Sequence, residues 1–163
     1  MRVLGIDPGT ATTGYAVVEE TVGDLQMIAL GVITTPAKTP LPLRLQTIHN
    51  ELKEIVAEFE PEAAAVEELF FSRNARTAMS VGHARGVILL ALADSNLPIA
   101  EYTPMQIKQA VTGYGNANKH QVQEMVRMLL ALSETPKPDD AADAAAVAIC
   151  HLHRAKLDSL LSN

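Results

Sequence analysis

The sequence has one cysteine, no tryptophan, and only three phenylalanines and three tyrosines among 163 residues. A single thiol, Cys150, excludes an internal disulfide, and it is read as a small buried hydrophobe. So few aromatics leave few platforms for stacking bases. No run approaches the ~20 apolar residues needed to span a bilayer, so no membrane partner is expected. The opening Met1-Arg2-Val3-Leu4-Gly5-Ile6-Asp7 turns acidic too soon for a secretion signal, which makes a reducing cytoplasm the expected location. Internal repeats, low-complexity tracts and evident linkers are also missing.

Positive charge is scarce as well. Thirteen Lys and Arg against 19 Asp and Glu give a net charge of −6, which argues against a uniformly basic nucleic-acid-binding surface. The distribution softens this. Between Arg73 and Arg127 lie six basic residues (Arg73, Arg76, Arg85, Lys108, Lys119, Arg127) and three acids (Asp94, Glu101, Glu124), so this window is +3 and the remainder −9. A basic surface on an acidic protein fits that split, and so does ordinary scattered surface charge.

What is present is a globular composition, 48% hydrophobic and 20% charged, at the length of one domain covering residues 1–163. Residues 2–7 read as a buried strand broken by Pro8-Gly9. A second strand is expected over Thr13–Glu20, a hairpin turn at Gly23-Asp24, and a third strand over Gln26–Thr34. Leu41, Leu45, Ile48, Leu52, Ile55, Val56 and Phe59 define one apolar helix stripe, stopped by Pro61. Ala63–Leu69 is a short apolar strand carrying Glu67. A helix follows over about 76–95, then a strand at Ile99–Tyr102, then helices at about 104–112, 119–132 and 140–157, with a flexible tail of about ten residues. This order predicts an α/β sandwich whose mixed five-stranded sheet is antiparallel first and parallel later, flanked by helices. Gly82 and Gly86 sit four apart inside the second helix, where each glycine costs about 1 kcal/mol relative to Ala. Close approach of another backbone is one reason to keep them.

Four carboxylates stand out by position. Asp7 ends the first strand, Glu67 lies near the end of a later apolar strand, and Asp140 and Asp143 are three apart at the start of the last helix. Singly, each has an ordinary explanation as a turn former, a solvated strand end or a helix-start acid. If brought together they would repel strongly, and a hard divalent cation is the natural compensation; no Cys/His cluster competes for zinc. Two such ions suit phosphodiester hydrolysis.

Gly5-Ile6-Asp7-Pro8-Gly9-Thr10 with Thr13-Gly14-Tyr15, then Val66-Glu67-Glu68-Leu69-Phe70, then Asp140-Ala141-Ala142-Asp143-Ala144, resemble the RuvC family of Holliday-junction resolvases. Arg85-Gly86-Val87, Gln106-Ile107-Lys108-Gln109 and Lys119-His120-Gln121-Val122-Gln123 are similar to it too, collinearly to about His153. The resemblance implies an RNase H-like fold and a homodimer that nicks two opposed strands of a four-way DNA junction in recombination and repair. It implies Mg²⁺ or Mn²⁺, two ions per site, held by Asp7, Glu67, Asp140 and Asp143, with Asp139 ranked below Asp140 because the family pattern begins there. It implies phosphate binding by Lys108 and Lys119, an aromatic contact from Phe70, and the branch-migration proteins RuvA and RuvB as partners. Arg73 and Arg76 are further DNA-binding candidates, although the family is not uniformly basic at Arg76. Gly82 and Gly86 are the candidate dimer contact. Three other readings compete: an actin-like ATP-binding domain, which needs a second domain; a junction-binding module without catalysis, which four acids near phosphate disfavour; and a related nuclease acting on ribosomal RNA precursors.

Overall fold

A computed structural model describes residues 1–68 and 75–162. The chain opens with an antiparallel meander, β1 (Arg2–Asp7), β2 (Thr12–Thr21) and β3 (Asp24–Thr34). After it come α1 (Leu41–Phe59), β4 (Ala63–Glu67), α2 (Ala75–Asp94) and β5 (Ile99–Tyr102). Three helices finish it: α3 (Pro104–Thr112), α4 (Lys119–Leu129) and α5 (Asp139–Leu161). The sheet order is β3-β2-β1-β4-β5. β1–β2 and β2–β3 pair antiparallel, whereas β1–β4 and β4–β5 pair parallel, as the element order predicts.

The alternation of side chains along β1 divides the interior in two. Val3 packs with Ala65 and the inner residues of α3, α4 and α5. Leu4 and Ile6 pack with Val66, Ile48 and Leu52 of α1, and Ala84 and Ile88 of α2. All nine of the residues named from β1, β4, α1 and α2 are buried. By the same alternation, Asp7 at the end of β1 faces α5.

Several boundaries differ from expectation. The hairpin turn is Val22-Gly23 rather than Gly23-Asp24: both have positive φ (53° and 94°), as a two-residue hairpin requires, and Asp24 already pairs with Thr21. β4 ends at Glu67, and Leu69 lies outside the described residues. α4 ends at Leu129, followed by Ala131 at φ 49°. α5 runs on through the expected tail to Leu161, with Lys156 Nζ fastened to Glu20 of β2 at 2.9 Å. Among the described residues no helix is long and apolar enough to cross a membrane. Cys150 is fully buried as expected, and burial pushes its thiol up to about 11.

Candidate active site

β1 and β4 are adjacent parallel strands with Ile6 beside Val66, so Asp7 and Glu67 emerge side by side at their ends. Their side chains share a hydrogen bond. α5 brings the other two acids by unusually close packing, which small residues permit. A Cβ on Gly5 would lie 2.2 Å from the Ala144 carbonyl oxygen, and one on Gly14 would lie 1.9 Å from that of Asp140. Gly14 is also the residue of β2 directly opposite Asp7. The helix behind this contact is nearly all alanine on its buried side (Ala141, Ala142, Ala144, Ala145, Ala148). The start of α5 therefore lies against the strand pair next to Asp7.

The convergence shifts the acids' affinity for protons. The Asp7 carboxyl is pushed up to about 8, first by burial, then by Glu67, Asp143 and Asp140. Glu67 is also raised, chiefly by burial, with the Asp7 hydrogen bond and the Lys108 and Lys119 charges working against the shift and Asp143 working with it. Burial likewise raises Asp143, opposed by Lys119. The acids thus sit together in a place that resists a third or fourth negative charge.

Lys108 lies on α3, whose start is fixed by a reciprocal capping box between Thr103 and Gln106. A second box, between Asn118 and Gln121, makes Lys119 the first residue of α4. A lysine at a helix N-terminus opposes the helix dipole. Here it is held by acids from α5: Lys119 Nζ lies 3.2 Å from both Asp139 Oδ2 and Asp143 Oδ2. Partial desolvation disfavours the ammonium, yet these bonds raise Lys119 above its ordinary value. Asp139 is exposed and held low by Lys119 and by a 3.2 Å hydrogen bond from Gln123. A cleft of about 190 Å³ joins Glu67, Asp143, Lys108 and Lys119.

The other candidates fall elsewhere. Phe70 and Arg73 lie outside the described residues. Arg76 is exposed in the first turn of α2, lining a different cleft that reaches Asp140. Gly82 and Gly86 face outward, and among the described residues nothing lies within 4 Å of a Cβ built on either, so none of these brings a backbone close to them. Met79 and Leu90 beside them are exposed, whereas Val87 and Leu89 pack partly into the core. The +3 window is not one basic face: Arg85 pairs with Glu101, and Arg127 with Glu124 at 3.1 Å. His151 and His153 tie α5 to Tyr102 at 2.9 Å and to the Ala110 carbonyl at 3.0 Å. Sequence reasoning gave no role to Gly14 or to the Thr10 and Thr35 fastenings. The signal for Gly14 was its pairing position opposite Asp7.

Among the described residues no three Asp, Glu, His or Cys side chains are grouped tightly enough to hold a metal ion as they stand. The donor set nonetheless fits a hard divalent cation. Four carboxylates supply oxygen alone, and Asp7, raised by burial and by the acids around it, is one whose ionised form calls for a compensating charge.

Fold and site together define a nuclease of the RNase H-like class, with carboxylates gathered at the ends of the central strands. Residues 3–151 match the family model of crossover junction endodeoxyribonuclease RuvC. The chain is 54% identical over 163 residues to the RuvC of Syntrophomonas wolfei, covering 100% of this chain and 95% of that protein. It is 57% identical over 151 residues to that of Desulforamulus reducens, covering 93% of each. Thermus thermophilus RuvC in complex with a Holliday junction substrate superposes with a TM-score of 0.92 at 40% identity, covering 97% of this chain and 96% of that one. The yeast mitochondrial resolvase Ydc2 shares the fold at a TM-score of 0.68 and 16% identity. This chain belongs to the RuvC family of crossover junction endodeoxyribonucleases, which are metal-dependent in general.

Proposed function

We propose that the chain resolves four-way DNA junctions by symmetric paired nicks, with Asp7, Glu67, Asp140 and Asp143 holding two Mg²⁺ or Mn²⁺ ions. The observation that carries this reading is the hydrogen-bonded pair of Asp7 and Glu67, gathered under Asp143 and Asp140 and resisting ionisation. When bound, such cations supply a nucleophilic water at neutral pH and stabilise the leaving oxygen. The protein's own part is to orient and to balance charge. Asp7, buried between Glu67 and α5, gives up its proton as the site takes up positive charge. Lys108 and Lys119, across the cleft from Glu67, hold the non-bridging oxygens of the phosphodiester. Asp139 stands outside the ligand set and keeps Lys119 at the mouth of the cleft.

Two symmetric nicks call for two identical sites at a fixed spacing, which a two-fold homodimer supplies. The outer face of α2, with exposed Met79, Gly82, Gly86 and Leu90, is the surface that supports it. Phe70, Arg73 and Arg76 belong to the same reading as DNA contacts. So do association with RuvA and RuvB and residence in the bacterial cytoplasm, on family membership.

The test is a labelled four-way junction beside duplex, RNA and ATP. Cleavage is expected on the junction alone, stopped by chelation and restored by Mg²⁺ or Mn²⁺, with Ca²⁺ supporting binding only. Asp143→Asn is expected to bind and not cut, and Asp139→Asn to cut nearly normally. Full nicking by Asp143→Asn would overturn the assignment.

A further inference from the structure

A second cleft, of about 460 Å³, reaches one of the four acids, Asp140. The strand order explains its position. β4, β5 and α3 lie to one side of Asp7 and carry the lysine cleft; the loop after β1, the end of β3 and the start of α1 lie to the other. This second cleft is lined by the loop Gly9–Thr12, by Arg44 of α1, by Arg76 and Ser80 of α2, and by Asp140.

Its wall is fastened by a run of hydrogen bonds. Arg44 Nε donates to Thr35 Oγ1 at 2.8 Å, and its Nη2 reaches the Thr35 carbonyl at 3.4 Å. Thr35 is buried and donates in turn to the Thr10 carbonyl. Thr10, also buried, donates to the Ser80 carbonyl at 2.6 Å. One edge of the Arg44 guanidinium is thereby fixed beside the loop that follows Asp7. A planar guanidinium held by one edge is pre-oriented for a phosphate and loses little freedom on binding one.

We propose that this cleft is a second phosphate-binding site, which holds a phosphodiester of the cut strand close to the scissile one, with Arg44 as its principal cation. The inference rests on the nuclease reading above. A strand that passes four carboxylates is repelled by them, and cations on one side alone leave its far phosphates uncompensated. Lys108 and Lys119 serve one side; Arg44 and Arg76 line the other. The ligand is backbone rather than base, because among the described residues no aromatic ring lines the cleft for stacking.

Junctions carrying single neutral methylphosphonates, stepped along the cut strand, identify the contact. Binding is measured in Ca²⁺ with wild type, Arg44→Ala and Arg44→Lys. Wild type is expected to lose about tenfold in affinity at one linkage other than the scissile one. Arg44→Ala should bind the unmodified junction about tenfold more weakly, become indifferent to that linkage, and lose about one unit of salt slope. Arg44→Lys should recover the slope. If Arg44→Ala does not fold, Arg44→Gln, which can still donate to Thr35, takes its place. An unchanged methylphosphonate profile in a folded Arg44 variant would assign Arg44 to propping Thr35 and overturn the site. Failure of wild type to bind the junction at all would remove the nuclease reading, and the cleft with it.

Discussion

α5 and α2 both carry small residues at close spacing, and they use them in opposite directions. On α5 the alanines face inward against glycines of β1 and β2, and the contact is so close that a Cβ on Gly14 would overlap the Asp140 carbonyl. On α2 the glycines face outward, into space that none of the described residues fills. The inward use sets the distance between a helix and a strand, and so brings the acids together. The outward use leaves Met79, Gly82, Gly86 and Leu90 exposed along one face, the face proposed above for a second copy. Small residues alone do not say which case holds; the register of the partner strand does.

The largest effect is expected at the inward contact's acid. Asp7→Asn should lower cleavage about 10³-fold or more, roughly 4 kcal/mol of barrier, with junction binding kept. The same change should stabilise the cation-free fold at high pH. Asp7 has a folded-state value of about 8 against an ordinary 3.8, so the folded chain binds this proton more tightly than the unfolded chain. Its contribution is complete below the unfolded value and is lost as pH climbs toward 8. Without cation, Asp7→Asn should therefore be clearly more stable than wild type at pH 8 and differ little from it at pH 4. Denaturant melts at the two pH values check this; equal stability at pH 8 would contradict the placement of Asp7 among its neighbouring acids.

A smaller effect is expected from Gly14→Ala. The new methyl meets backbone rather than a movable side chain, so α5 must shift. A loss of about 3 kcal/mol is expected, with cleavage falling further than stability explains because Asp140 moves too. Thermal melts and single-turnover cleavage measure the two separately. The outward glycines predict the reverse sign. Gly86→Leu fills open space and improves the helix, so the single chain should gain about 0.5–1 kcal/mol. Sedimentation should show it shifted toward monomer, with paired nicks reduced to single ones. A Gly86→Leu protein that remains dimeric would move the interface elsewhere.

Much of this was legible in the sequence because the relevant signals are local. Strand-ending Asp7 and the 3.6-residue stripe of α1 are read from a few neighbouring residues. The four acids could be named on position and family resemblance, and the structure brings them within electrostatic reach. What stayed hidden depends on distant pairing. Nothing near Asp139 in sequence announces that Lys119 will lie against it. The fastening of Thr35 to Thr10, and of Thr10 to Ser80, crosses three elements. The hairpin turn was misplaced by one residue because Val22, a β-branched residue, takes the left-handed backbone that composition assigns to glycine or aspartate.

The long crossing from β1 to α5 also sets an order of events in folding. The meander β1-β2-β3 is built from local pairings, which close quickly, whereas the contact of α5 with Gly5 and Gly14 joins the early part of the chain to the late part and forms at a high cost in loop entropy. Until that contact exists, Asp7 and Asp143 are separate carboxylates on a polymer, each with an ordinary affinity for protons and none for a shared cation. The site therefore exists only where that contact exists, and a chain without it carries the acids but not their shared site.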